Sequence, residues 1–236
     1  GLPETITHGV ILKKLSAKSV YKAVNNLITN SQSILIPGFG IDANYFSVSA
    51  YPKNQNITFL LIARMLWNKG IGEYLEAARS IKKNKPHINF QLLGTIDKEN
   101  AYCVSKEQIS SWTEEKLVKY LGHVDDVRPF ISKANCIVLP SYREGMPRVL
   151  LQACSMGRPI ITTNVPGCRD VVIHNENGFL CEAKNSKDLT DKMINFINLS
   201  LSEKIKMGNE GRKIAEKNFD ENIVIKKYFD TIQELI

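Results

Sequence analysis

Several familiar signatures are missing from this chain of 236 residues. No apolar run approaches the roughly 20 residues that a membrane span needs. No signal peptide is visible, and a chain that begins at Gly1 without Met reads as a fragment or as one piece of something longer. Five cysteines, Cys103, Cys136, Cys154, Cys168 and Cys181, are odd in number and include no C-x-x-C. Neither a disulfide frame nor a zinc site is expected, and a reducing, cytoplasmic setting is. No G-x-G-x-x-G follows a strand-like run and no G-x-x-x-x-G-K-[ST] occurs, which disfavours NAD binding and P-loop use of ATP. No Asp-x-Asp dyad is placed to hold a metal diphosphate. Basic residues outnumber acidic ones by 31 to 24, for a net charge of +7. They are scattered, without a dense run interleaved with aromatics, so nucleic acid is not an expected partner. The mild excess suits a small anionic ligand, a peripheral contact with an acidic membrane surface, or a solvated surface with no partner.

What is present has a regular rhythm. Apolar residues make up 43% and charged residues 23%, as in globular proteins. From Asn56 onward, short apolar runs alternate with helical patterns. ITFLLIAR (57–64), INFQLLG (88–94), KYLGHV (119–124), CIVLPS (136–141), PIITTN (159–164) and GFLCE have strand length. Between them, 71–85, 106–118, 126–134 and 146–157 carry helical spacing, CRDVVIH reads as a short helix, and 186–199 and the tail from Glu203 read as amphipathic helices. This alternation implies an α/β protein: a Rossmann-like parallel sheet with helices on both faces. Earlier in the chain, 16–26 reads as a helix and 33–42 as a strand with a Gly-rich turn.

In such sheets ligands bind at the carboxyl ends of the strands. Arg64 ends the first run and Lys69 lies in the loop before the next helix. The pair can hold a diphosphate beside a helix N-terminus, or be two surface cations; spacing alone leaves both open. Gly94 and Asp97 follow the second run and read as a plain turn. Val124 to Val127 follow the third; they can line a base pocket through backbone groups, while Asp125 or Asp126 caps the next helix. After CIVLP comes SYREGMPRVLL. Gly145 permits close approach to a ligand, Pro147 presets the helix start, and Glu144 can accept hydrogen bonds from sugar hydroxyls. Gln152 can both donate and accept. After PIITTN, Gly167 gives another permissive turn, and Arg169 reads as a surface residue or a structural pair.

Taken together, ARMLWNKG, YLGHVDDV, VLPSYREGMPRVLLQACSMGRPIITTNVPGCRDVV and NGFL resemble the C-terminal, donor-binding domain of GT-B fold glycosyltransferases of family 4. The subgroup making bacterial capsule, O-antigen and other surface glycans is closest, notably through VPGCRDVV. The resemblance spans roughly Ile34 to Phe229. It implies a retaining enzyme that moves a sugar from a nucleotide sugar, with UDP sugars favoured, to a saccharide or lipid-linked acceptor, with no metal in the site and no resident cofactor. It implies catalytic roles for Arg64 and Lys69, holding the diphosphate and stabilising the leaving group, and for Glu144, contacting the donor sugar. Gly145, Met146, Pro147, Arg148 and Val149 would meet sugar and phosphate, and Val124 with Asp126 would lie at the base.

Two departures stand out. The second Glu of the family's E-x7-E motif, which meets the ribose, falls on Gln152. Gln keeps an acceptor oxygen without the charge, a difference on the order of 1 kcal/mol. Only one of two Rossmann-like domains is present. Residues 1–42 read as a remnant of the N-terminal domain and the connection, 43–220 as the nucleotide-sugar-binding domain, and 221–236 as the helix that crosses back. His8 falls in the remnant outside any motif. The chain alone is expected to bind nucleotide diphosphate and transfer little sugar. Two other readings compete: a sugar-nucleotide epimerase on the same architecture, which calls for further acidic and His residues, and a non-catalytic nucleotide-binding module, which the Gln and the missing half support.

Overall fold

A computed structural model describes residues 38–53 and 56–233. The helix expected over 16–26, the first part of the 33–42 strand and His8 lie outside the described residues. Six parallel strands form one sheet: β1 (Thr58–Ile62), β2 (Asn89–Leu93), β3 (Lys119–Tyr120), β4 (Cys136–Leu139), β5 (Ile160–Thr163) and β6 (Gly178–Cys181). Their order is β3-β2-β1-β4-β5-β6. Registers such as Phe59 opposite Phe90 and Cys136 place β1 between β2 and β4. The chain reverses its direction across the sheet between β1 and β4, so the loops after these two strands flank the crevice where such sheets bind ligands.

The central strands β1 and β4 are almost wholly apolar and buried because both faces are covered, whereas β2 and β3 toward the edge carry Asn89, Gln91 and Lys119. Side chains alternate, so Phe59 and Leu61 point to one core while Leu60 points to the other. The first core is closed by α1 (Ile71–Asn84), α2 (Lys106–Glu114) and α5 (Ser186–Asn198), through Tyr74, Leu75, Ile81, Trp112, Met193 and Phe196. The second is closed by α3 (Arg128–Lys133) and α4 (Arg148–Ser155), through Ile131, Leu150, Leu151 and Cys154. α6 (Leu201–Ile214) packs on α4 so closely that a Cβ on Gly208 would lie 2.2 Å from the Gly157 carbonyl oxygen.

Two elements depart from expectation. Residues 168–171 form a turn, 172 and 173 are irregular and His174 makes an isolated bridge to Gly178, so no helix forms here. Asp170 Oδ2 accepts from the Gly167 N–H at 3.0 Å, and Gly167 has φ 85°, so a side-chain turn competes with helix here. The third strand shrinks to two residues because Gly122, at φ 74°, turns the chain out of the sheet.

The segment before β1 is pinned by two arginines. Arg158, fully buried, donates to the carbonyls of Ser49, Ala50, Ile131, Ser132, Met156 and Gly157 and to Ser49 Oγ. Arg212 donates to the carbonyls of Ala43, Phe46 and Ser155. At Ile41 this segment pairs with Asp220, where the chain leaves the domain through a π-helical turn (215–219) into α7 (Glu221–Gln233). Of α7, only Val224 is buried; Ile225, Tyr228, Phe229 and Ile232 form an exposed apolar stripe.

Candidate active site

The site is built by two loops that meet at the crevice. After β1 a short 3-10 turn (Trp67–Lys69) leads into α1; after β4 the segment 140–147 leads into α4. The loops are joined by the Tyr142 N–H, which donates to the Asn68 carbonyl at 3.0 Å. Ser141 Oγ reaches the same carbonyl at 3.3 Å. Gly70 makes the approach possible. Its φ is 76°, and a Cβ there would sit 2.1 Å from the Pro140 carbonyl oxygen. Gly70→Ala combines a left-handed conformation with a backbone clash, which costs about 1–3 kcal/mol from the overlap alone. A fall in melting temperature of at least about 5 °C is expected for a domain of this size; an unchanged melting temperature would show that the loops adapt freely.

This closure brings the expected residues together. Lys69 Nζ lies 2.6 Å from Glu144 Oε1, with both side chains largely shielded from solvent. Arg64 Nη1 pairs with Asp97 Oδ2 at 3.0 Å, but is more than half exposed, so this pair adds little stability. Asp97, read from sequence as a plain turn, thus supplies the partner of Arg64. Burial pushes the Cys168 thiol up to about 11, so it stays neutral. The Gly167 turn closes over the glutamate loop: a Cβ there would lie 2.1 Å from the Gly145 carbonyl oxygen.

The helix ends complete the site. α2, α5 and α6 carry side-chain caps from Ser105, Asn185 and Ser200. α3 has no side-chain bond at its N-cap Val127 either, although Asp126 Oδ1 accepts the Arg128 N–H; α1 and α4 begin at Gly70 and Pro147 with no side-chain cap among the described residues. Their first N–H groups have no partner within the helix and carry the positive end of the helix dipole. Cations and uncapped amides at one sheet edge suit a diphosphate, and a shielded carboxylate beside them suits hydroxyl groups.

The other predicted residues fall nearby in unequal roles. Gln152 and the exposed Arg148 line a cleft of about 650 Å³ with Phe39, Asp42, Tyr45 and Asp125. Met146 touches Gly38, whose added Cβ would meet Met146 Cγ at 2.9 Å. Pro147 is buried, and Val149 and Val124 pack against the second core. Asp126 is already occupied. Oδ1 accepts from Arg128 Nε at 2.9 Å and from its backbone N–H at 3.0 Å, and Oδ2 from Nη2 at 2.8 Å. That hydrogen bonding to Arg128 holds the Asp126 carboxyl below the usual range. Among the described residues no group of three or more His, Cys, Asp or Glu side chains is placed to hold a metal ion.

Strand order and the loops at the switch point define a Rossmann-like sheet with a ligand crevice at its carboxyl edge. The chain belongs to the family described as glycosyl transferases group 1, whose profile matches residues 44–214. It is 34% identical over 190 residues to the N,N'-diacetylbacillosaminyl-diphospho-undecaprenol alpha-1,3-N-acetylgalactosaminyltransferase of Campylobacter jejuni, covering 78% of this chain and 47% of that one. It is 28% identical over 226 residues to the capsular polysaccharide biosynthesis glycosyltransferase CapM of Staphylococcus aureus, covering 94% and 58% respectively. The chain therefore spans about half the length of these relatives. In fold it resembles Anabaena HepE, solved in complex with UDP, with a TM-score of 0.78 at 21% identity, over 93% of this chain and 62% of that one. No helix among the described residues is long and apolar enough to cross a membrane.

Proposed function

We propose that this chain is the donor-binding part of a retaining glycosyltransferase that uses a nucleoside diphosphate sugar, with UDP as the favoured nucleotide, in the synthesis of a bacterial surface glycan. The observation that carries this reading is the shielded Lys69–Glu144 pair, which joins the two switch-point loops beside the starts of α1 and α4; Arg64, paired with Asp97, lies on the loop after β1. In the reaction the bond from the anomeric carbon to the diphosphate oxygen breaks, and a bond to an acceptor hydroxyl forms. The diphosphate leaves with the electron pair, and the acceptor proton is released. Arg64 and Lys69 neutralise charge growing on the leaving oxygen, Glu144 orients the sugar, and the α4 start holds phosphate. Charge neutralisation then needs no metal in this reading. Gln152 meets the ribose. The acceptor, a saccharide or a lipid-linked one, is read by a part of the enzyme beyond the described residues, and the apolar stripe of α7 packs on that part. The reading places the enzyme in the cytoplasm, with peripheral contact at the inner membrane face.

Thermal shift against UDP, GDP and ADP tests the reading. UDP at about 100 times its Kd adds about 2.7 kcal/mol, a rise of roughly 5–10 °C for a domain of this size. No rise with any of the three would refute it. Gln152→Ala is expected to weaken UDP binding about five- to tenfold, the worth of one neutral hydrogen bond; unchanged affinity in a titration would remove Gln152 from the site. The Gln itself also fits a second reading, a nucleotide-binding module without transfer. The two separate on whether the full-length enzyme releases nucleoside diphosphate from a nucleotide sugar.

A further inference from the structure

Tyr142 is two residues before Glu144 and has no role in the reading above. Its backbone N–H already ties the glutamate loop to Asn68, the neighbour of Lys69. Its side chain makes a second tie. The hydroxyl donates to Glu73 Oε1 at 2.7 Å, in the first turn of α1. On the ring, Lys184 Nζ stands 5.2 Å from the centroid, from the loop after β6. One residue thus ties the loop after β4 to the loop after β1 through its backbone, and to the start of α1 and the loop after β6 through its side chain.

The bond to Glu73 is hard to replace. Glu73 Oε2 and Asn68 Oδ1 are both buried with no hydrogen-bond partner among the described residues. Without the Tyr142 hydroxyl, the Glu73 carboxylate would be left unpaired in a shielded place, a state that folded proteins avoid. Burial, with Glu73 adding to it, pushes the Tyr142 hydroxyl up to about 12, so the donor proton is present at all working pH values.

We infer that Tyr142 and Glu73 are a positioning pair: their hydrogen bond sets the distance between Glu144 and Lys69, and so holds the site in register for a nucleoside diphosphate. The inference rests on the donor-site reading. Neither residue touches the ligand. Displacements of about 1 Å in such a site have consequences far larger than the contact removed.

The test is calorimetric titration of the full 236-residue chain with UDP at 10 °C, together with thermal melts of each variant. Tyr142→Phe keeps the ring and loses the donor; it is expected to weaken UDP binding about tenfold. Glu73→Ala should weaken it equally, and the double variant no further, because the two act as one unit. Glu73→Gln keeps an acceptor for the hydroxyl and should lose less than threefold. A purely structural role gives a different pattern: lower melting temperatures with UDP affinity unchanged at 10 °C, where every variant is folded. That pattern, or additive losses in the double variant, overturns the inference. If the unsubstituted chain binds none of UDP, GDP or ADP, the donor-site reading itself has failed.

Discussion

Glu144→Gln is expected to bind bare UDP about tenfold more tightly than the unsubstituted chain, against the usual result of removing a site residue. Glu144 Oε1 lies 2.6 Å from Lys69 Nζ, with both side chains largely shielded from water. A diphosphate that arrives must take the lysine from the carboxylate, or share it while sitting beside a like charge. Glutamine keeps the shape and an acceptor oxygen and removes both obstacles. A tenfold gain corresponds to about 1.4 kcal/mol, modest beside the interaction of two shielded charges at such a distance. The sugar nucleotide should lose its advantage over UDP in the same variant, because the charged acceptor for sugar hydroxyls is gone. Titrations with UDP and with UDP-glucose check both halves. Weaker UDP binding by the variant would mean that Glu144 holds Lys69 in place without competing for it.

Arg158→Met is expected to lower the melting temperature by about 10 °C or more. Arg158 is buried with no carboxylate partner among the described residues, and its guanidinium donates to six carbonyls and one hydroxyl. Burial pulls it down to about 10, so it is still a cation at neutral pH. Methionine fills much of the volume but donates nothing. Each carbonyl left dry costs about 1–3 kcal/mol, and even partial rehydration leaves a deficit above about 3 kcal/mol. For a chain of this size each kcal/mol is about 2–4 °C. Thermal melts check this, and a shift below 3 °C would show that the segment 49–50 is held by other contacts. Arg158→Lys, with three donors, should fall between the two.

Much of this architecture is legible in local sequence. The apolar runs at 57–64, 88–94, 136–141 and 159–164 hold β1, β2, β4 and β5 because buried parallel strands need no polar face. The rule that ligands sit at strand ends points to the loops that carry Arg64, Lys69 and Glu144, the resemblance supplies the roles expected of these residues, and the fold brings Lys69 and Glu144 within bonding distance. What stays hidden is long-range. Nothing near Asp97 announces Arg64, and nothing near Tyr142 announces Glu73, since each partner lies on another loop. Nothing near Arg158 announces its distant carbonyl partners, which are assembled only when segment 49–50 folds back, 108 positions away in the case of Ala50. The helix expected at CRDVVIH fails for a local reason that was in view: Pro166, Gly167 and Asp170 form a turn more readily than a helix. Asp126 shows the converse. Its side chain caps its own helix start and binds Arg128, so of the two roles open to it the structural one is visible here.

In the proposed reading, the diphosphate is the part of the ligand that Arg64, Lys69 and the starts of α1 and α4 hold. Parallel calorimetric titration of the chain with UDP and with uridine isolates that part, and Lys69→Ala assigns it. UDP is expected to bind at least 100-fold more tightly than uridine, and Lys69→Ala to remove most of that difference while leaving uridine affinity unchanged. Equal affinities for UDP and uridine, or a Lys69→Ala variant that keeps the full difference, would contradict a diphosphate site at this switch point.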